Sequence, residues 1–97
     1  MITYDDETLF QALQQFGFNR QVLVAVEELS ELQKELLKNV NRDQNNRDHV
    51  KEELVDVLII LRELVLLYDF SEKELNTVAT EKMERLKGYL NEANKRA

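Results

Sequence analysis

Ninety-seven residues make one domain, and a chain of that length buries only a modest core unless it pairs with a copy of itself. Hydrophobic residues are 43% and charged residues 33%, with no Pro and two Gly, a profile of helices joined by few turns that leaves little room for strand. The net charge of −6 argues against nucleic acid, the lack of Cys excludes disulfides and thiolate metal sites, and no apolar run approaches the roughly 20 residues of a membrane span.

With no basic segment ahead of an apolar stretch either, the expected location is cytoplasmic. Residues 5 to 16 read as a short amphipathic helix, with Leu9, Phe10, Leu13 and Phe16 on its apolar side and Gly17 placed to stop it. It has the makings of a lid or a packing arm. Asn19 then has the character of an N-cap, with Phe18 and Leu23 spaced as a hydrophobic staple, for a second helix from about 20 to 39. The apolar centre of that helix is Val22, Ala25, Leu29 and Leu36. Glu28 lies at its edge between Val24 and Leu32, with Glu31 one turn further on. The stretch from Asn39 to Arg47 is polar, Asn-rich and without periodicity, and reads as a loop.

A third helix is predicted from about Asp48 to Tyr68, apolar almost all round beyond Leu54. Val57, Ile60, Leu64 and Leu67 fill one sector; Val55, Ile59 and Leu66 point nearly the other way. A helix apolar on both sides is buried on both sides, and this chain has too few helices to do that alone, so the second face is expected to meet another subunit. Glu53 and Asp56 lie in the first sector, one turn nearer the N-terminus. An ionised carboxylate on an apolar stripe costs on the order of several kcal/mol unless something cationic compensates it, so the pair suggests a bound cation. Glu28 and Glu31 supply a matching half, and four carboxylates converging from two antiparallel helices suit the hard cations Mg²⁺ or Mn²⁺.

Phe70-Ser71-Glu72-Lys73-Glu74-Leu75 is a capping box inside a staple, which starts a fourth helix at about Glu72. It carries Leu75, Val78, Ala79, Met83, Leu86 and Leu90, with Lys82 and Arg85 between them, spaced to neutralise a polyphosphate. Gln21, seven residues before Glu28 and on the same helix face, is placed to hydrogen-bond a base or a sugar, and Phe16 and Phe18 to stack on a base. Each of these has a plainer alternative: acidic runs on solvated helix faces, aromatic packing at helix junctions, two basic residues on one helical turn. His49 is the only histidine, which limits any His-dependent triad to this residue at a helix start, with no evident nucleophile partner and a plainer reading as a surface residue near an N-cap. The chain has none of the Glu-x-x-His pairs of a di-iron bundle.

Phe16-Gly17-Phe18 followed by Gln21, then Glu27-Glu28-x-x-Glu31-Leu32, a spacer of about twenty residues, and Glu53-Leu54-x-Asp56-Val57-Leu58 resembles the MazG-like branch of the all-α nucleoside triphosphate pyrophosphatases. The likeness runs from about residue 16 to Arg85. It implies Mg²⁺ held by Glu28, Glu31, Glu53 and Asp56, an attacking water activated by Glu27, and phosphate contacts from Lys82 and Arg85. The related phosphoribosyl-ATP branch usually carries a Tyr-His pair where this chain has Leu58-Ile59-Ile60, which disfavours it.

The resulting expectation is an all-α bundle of about four helices, a single domain over residues 1–97, completed by homo-oligomerisation as a dimer or tetramer. Its implied activity is Mg²⁺-dependent hydrolysis of (deoxy)nucleoside triphosphates to monophosphate and pyrophosphate, with Mn²⁺ able to substitute. The alternatives are a dUTPase or dCTP pyrophosphatase of narrow substrate range, and a non-catalytic helical module whose long apolar helix only dimerises.

Overall fold

The structure is a computed structural model and describes residues 2–42 and 45–96. Those residues form four helices, α1 (Asp6–Phe16), α2 (Phe18–Arg42), α3 (Arg47–Leu67) and α4 (Glu72–Arg96), with no strand among them. None of the described helices is long and apolar enough to cross a membrane.

The starts and stops follow from local chemistry. Asp5 caps α1, accepting from the Thr8 backbone N–H at 3.2 Å and from its hydroxyl at 2.7 Å. Gly17, at φ 84°, ends α1 by donating its N–H to the Leu13 carbonyl at 2.9 Å, and its own carbonyl accepts the Gln21 N–H at 3.2 Å to open α2. This corrects the expected N-cap at Asn19: α2 begins at Phe18, because one glycine in a conformation other residues resist serves both helix ends. At its other end α2 runs to Arg42, three residues past the expected stop, and α3 begins at Arg47, so of the predicted loop only Asn45 and Asn46 are described outside a helix; Asp43 and Gln44 lie outside the described residues.

The end of α3 is a Schellman motif. Asp69 takes the left-handed conformation at φ 58°, its N–H bonds the Leu66 carbonyl at 3.2 Å, and the Phe70 N–H bonds the Val65 carbonyl at 3.1 Å. The capping box at the start of α4 forms as its sequence predicts. The Ser71 N–H donates to Glu74 Oε2 at 2.8 Å, and the Glu74 N–H to Ser71 Oγ at 3.1 Å.

Helices α2 and α3 pack antiparallel as a hairpin, and α1 lies against both through Leu9. The core is small: Leu9, Ala25, Val57 and Ile60 are its buried apolar residues. Asp6 and Arg62 fasten α1 to α3 through two parallel hydrogen bonds, Nε to Oδ1 at 3.0 Å and Nη2 to Oδ2 at 2.8 Å, and Arg62 Nη1 reaches Glu72 at 3.5 Å. Tyr68 stands edge-on to Phe18 at 5.4 Å and stacks on Phe70 at 5.7 Å, which joins the start of α2 to the turn before α4.

Beyond the Arg62–Glu72 pair, α4 packs on no other helix among the described residues, and all of its side chains are exposed. The radius of gyration, 17.1 Å, records this, since a compact chain of about 100 residues would have about 13 Å.

Candidate metal centre

The stripe of α2 that faces α3 is rotated from the expected one. Gln21 and Ala25 are buried and Glu28, Leu32 and Glu35 half-buried, whereas Leu29 and Leu36, expected at the apolar centre, are exposed. The physical reason is that α2 has apolar residues on two sides, and the side that meets α3 is the one interrupted by polar groups. Glu28 therefore stands in the middle of the interface. From α3, Val57 and Ile60 enter the same interface, with Glu53 half-buried and Asp56 exposed one turn before them.

The result is a three-carboxylate cluster. One oxygen from each of Glu28, Glu53 and Asp56 can be chosen so that all lie within 4.8 Å of one another. Val24, Ile59 and Ile60 wall the adjoining hollow of about 230 Å³, which Glu28 and Asp56 enter. Among the described residues, no Lys or Arg is ion-paired with any of the three. Burial, then the charges of Asp56 and Glu53, hold Glu28 above the ordinary carboxylate range; desolvation, then Asp56 and Glu31, do the same to Glu53. An all-oxygen donor set of this kind, without a cationic side-chain partner, is one that could hold a hard divalent cation.

The other expected site residues are placed less centrally. Glu31 is exposed and paired with Lys34 at 3.5 Å, so it borders the cluster without joining it. Glu27 is exposed beside a shallow depression that it shares with Arg20, Ser30 and Lys34. Lys82 and Arg85 are carried away from the carboxylates on α4. Gln21 is buried, and its amide donates to a carboxylate oxygen of Glu63. Phe16 and Phe18 are about half exposed, the first under the Arg20 guanidinium at 5.3 Å.

Glu63 and the Asn46–Glu35 cluster escape a reading by motif. Glu63, 3% exposed, sits on the Val57–Ile60 stripe seven residues after Asp56, and the test applied to Glu53 and Asp56, an acid on an apolar stripe, singles it out equally well. Asn46, at the start of α3, donates its side-chain amide to the Glu35 carbonyl at 2.9 Å and to Glu35 Oε2 at 2.8 Å, and accepts from the Asn39 amide at 3.1 Å. The bond from Asn46, then the one from Lys38, holds Glu35 below the usual carboxylate range. Compared with known proteins, the chain matches no family model, no curated protein and no solved structure.

Proposed function

We propose that this protein is a Mg²⁺-dependent nucleoside triphosphate pyrophosphohydrolase, cleaving its substrate to monophosphate and pyrophosphate. The observation that carries the reading is the crowding of Glu28, Glu53 and Asp56, from two helices, with no cationic side chain paired to them. A bound cation would offset repulsion of that kind. When bound, the ion would supply charge neutralisation to the phosphate oxygens and a lowered pKa to a coordinated water. Glu28, Glu53 and Asp56 hold that charge in place, and Glu31, close enough to bear on Glu53, extends the acidic rim. Glu27, one residue from Glu28 and open to solvent, takes the proton from the attacking water.

As α4 lies here, it carries Lys82 and Arg85 away from the carboxylates. The exposed apolar side chains Val78, Met83, Leu86 and Leu90 of α4, and Val55 and Ile59 of α3, support completion of the bundle by a second copy as a homodimer or homotetramer in a cytoplasmic protein. In that assembly Lys82 and Arg85 come from the partner copy or from a redirected α4. A pyrophosphate-release screen over the eight common NTPs and dNTPs with Mg²⁺ and Mn²⁺ tests the activity, and activity confined to dUTP or dCTP would narrow it to the specialised branches.

The same exposed apolar faces favour a second reading, a non-catalytic helical interaction module. The two part cleanly: a module releases no pyrophosphate from any nucleotide, and EDTA leaves its binding unchanged.

A further inference from the structure

The polar contacts between α2 and α3 fall in layers. Gln21 meets Glu63; seven residues along α2 and seven back along α3, Glu28 meets Asp56; a further seven along α2, Glu35 meets Asn46 with His49 nearby. The middle layer is repulsive and the outer two are hydrogen-bonded. Between them lie the apolar contacts of Ala25, Val57 and Ile60, which are non-directional and would tolerate one helix sliding along the other. A slip of one turn, about 5.4 Å, that carries Glu28 toward Ile59 and Ile60 would part it from Glu53 and Asp56 and leave the three beyond the reach of one ion.

Such a slip would also strand two buried groups. Gln21 is 6% exposed and Glu63 3% exposed, so parting them leaves a buried carboxylate and a buried amide without each other. We infer that the buried Gln21–Glu63 pair is a register clamp, which together with Asn46 at the other end of the hairpin holds Glu28 opposite Asp56 against their repulsion and so sets the cation affinity of the site. Single buried polar pairs that fix helix register at a cost in stability are an established device. Gln21 and Glu63 are on this view positioning residues: they touch neither ion nor substrate, and act through where they put Glu28 and Asp56. The purpose assigned to the clamp rests on the cation reading above; its effect on register does not.

Two kinds of measurement keep those apart. The chain has no cysteine, so Gln33→Cys and Glu52→Cys, both at exposed positions on facing helices, allow spin labels to report the α2–α3 register by pulsed electron resonance without metal. Mn²⁺ affinity is titrated separately on unlabelled protein. Glu63→Gln keeps a hydrogen bond across the pair, and should preserve a narrow label distance and Mn²⁺ affinity to within about twofold. Gln21→Leu/Glu63→Leu and, as a more adaptable filling of the same space, Gln21→Met/Glu63→Met should keep full helicity, broaden or shift the label distance, and weaken Mn²⁺ by about 10–100-fold. Unchanged distances in a folded apolar variant would overturn the clamp, as would unchanged Mn²⁺ affinity beside a wild type that binds. Failure of both apolar variants to fold would overturn it too, because the pair would then hold up the fold and not its register. A wild type that binds no Mn²⁺, with distances that still broaden in the apolar variants, would leave the clamp standing and remove the cation reading.

Discussion

On the proposed reading, the chemistry turns on residues that lie next to one another in sequence but in different surroundings. Glu27 and Glu28 differ by one position, about 100° around the helix, and that rotation moves a carboxylate from open solvent into the α2–α3 interface. The two should fail differently. Glu27→Gln is expected to lower kcat by about 10²–10⁴-fold with little change in the Mg²⁺ concentration giving half-maximal rate, whereas Glu28→Gln should move that midpoint directly. A Mg²⁺ titration of pyrophosphate release on both variants decides it, and an equal shift in the two would pass the water-activating role from Glu27 to a neighbour such as Glu31. Asp56→Asn should lower hydrolysis by on the order of 10²-fold or more while raising the melting temperature of the metal-free protein, because it removes a charge that Glu28 and Glu53 oppose. Full activity in Asp56→Asn would reduce the cluster to ordinary surface charge.

Single helices carry their own signals here, and α4 does so most completely. Its capping box forms with no tertiary help, since nothing beyond its first turn rests on the body. Ser71→Ala removes the cap, and should destabilise α4 by about 1 kcal/mol. In dilute protein that loss should show as faster amide exchange in the first turns of α4, with exchange in α2 and α3 unchanged; a parallel rise in the hairpin would mean that α4 is packed on it. At the end of α3, Asp69 holds a left-handed conformation that costs most residues about 1–2 kcal/mol, and Gly offsets part of any gain through its freer unfolded chain. Asp69→Gly should therefore stabilise the chain by about 0.5–1 kcal/mol in chemical denaturation.

For the molecule as a whole, two features set its behaviour in solution. The Arg62 hydrogen bonds hold the Asp6 carboxyl below its ordinary value of 3.8. A carboxyl depressed in the folded state contributes stability that is fully present above its unfolded value and is lost as pH falls through the folded one. The tie between α1 and α3 should thus hold from neutral pH down to about pH 4 and fail below it, and Asp6→Asn should flatten that acid limb in melting curves. The second feature is the apolar surface left open on α3 and α4. If a second copy completes the bundle as proposed, Ile59→Glu or Leu86→Glu should shift the protein toward monomer in light scattering at micromolar concentration, and a wild type already monomeric there would exclude that completion.

Helix count, the stop at Gly17, the capping box at Ser71 and the pairing of Glu53 with Asp56 are all decided by neighbours within a turn or two, and so are legible in the sequence. The two-sided apolar character of α3 is legible as well, because periodicity alone places Val57 and Ile60 on one side and Val55 and Ile59 on the other. Which side of α2 faces inward is not. Its apolar residues allow more than one choice, and only packing against α3 selects the stripe of Gln21, Ala25 and Glu28 over that of Leu29 and Leu36. The same docking decides that Glu28 meets Asp56 while Glu31 turns to Lys34, and that Gln21 bonds a carboxylate 42 residues away. Those pairings depend on how far one helix slides along another, a quantity that no local pattern encodes and that buried polar partners can set.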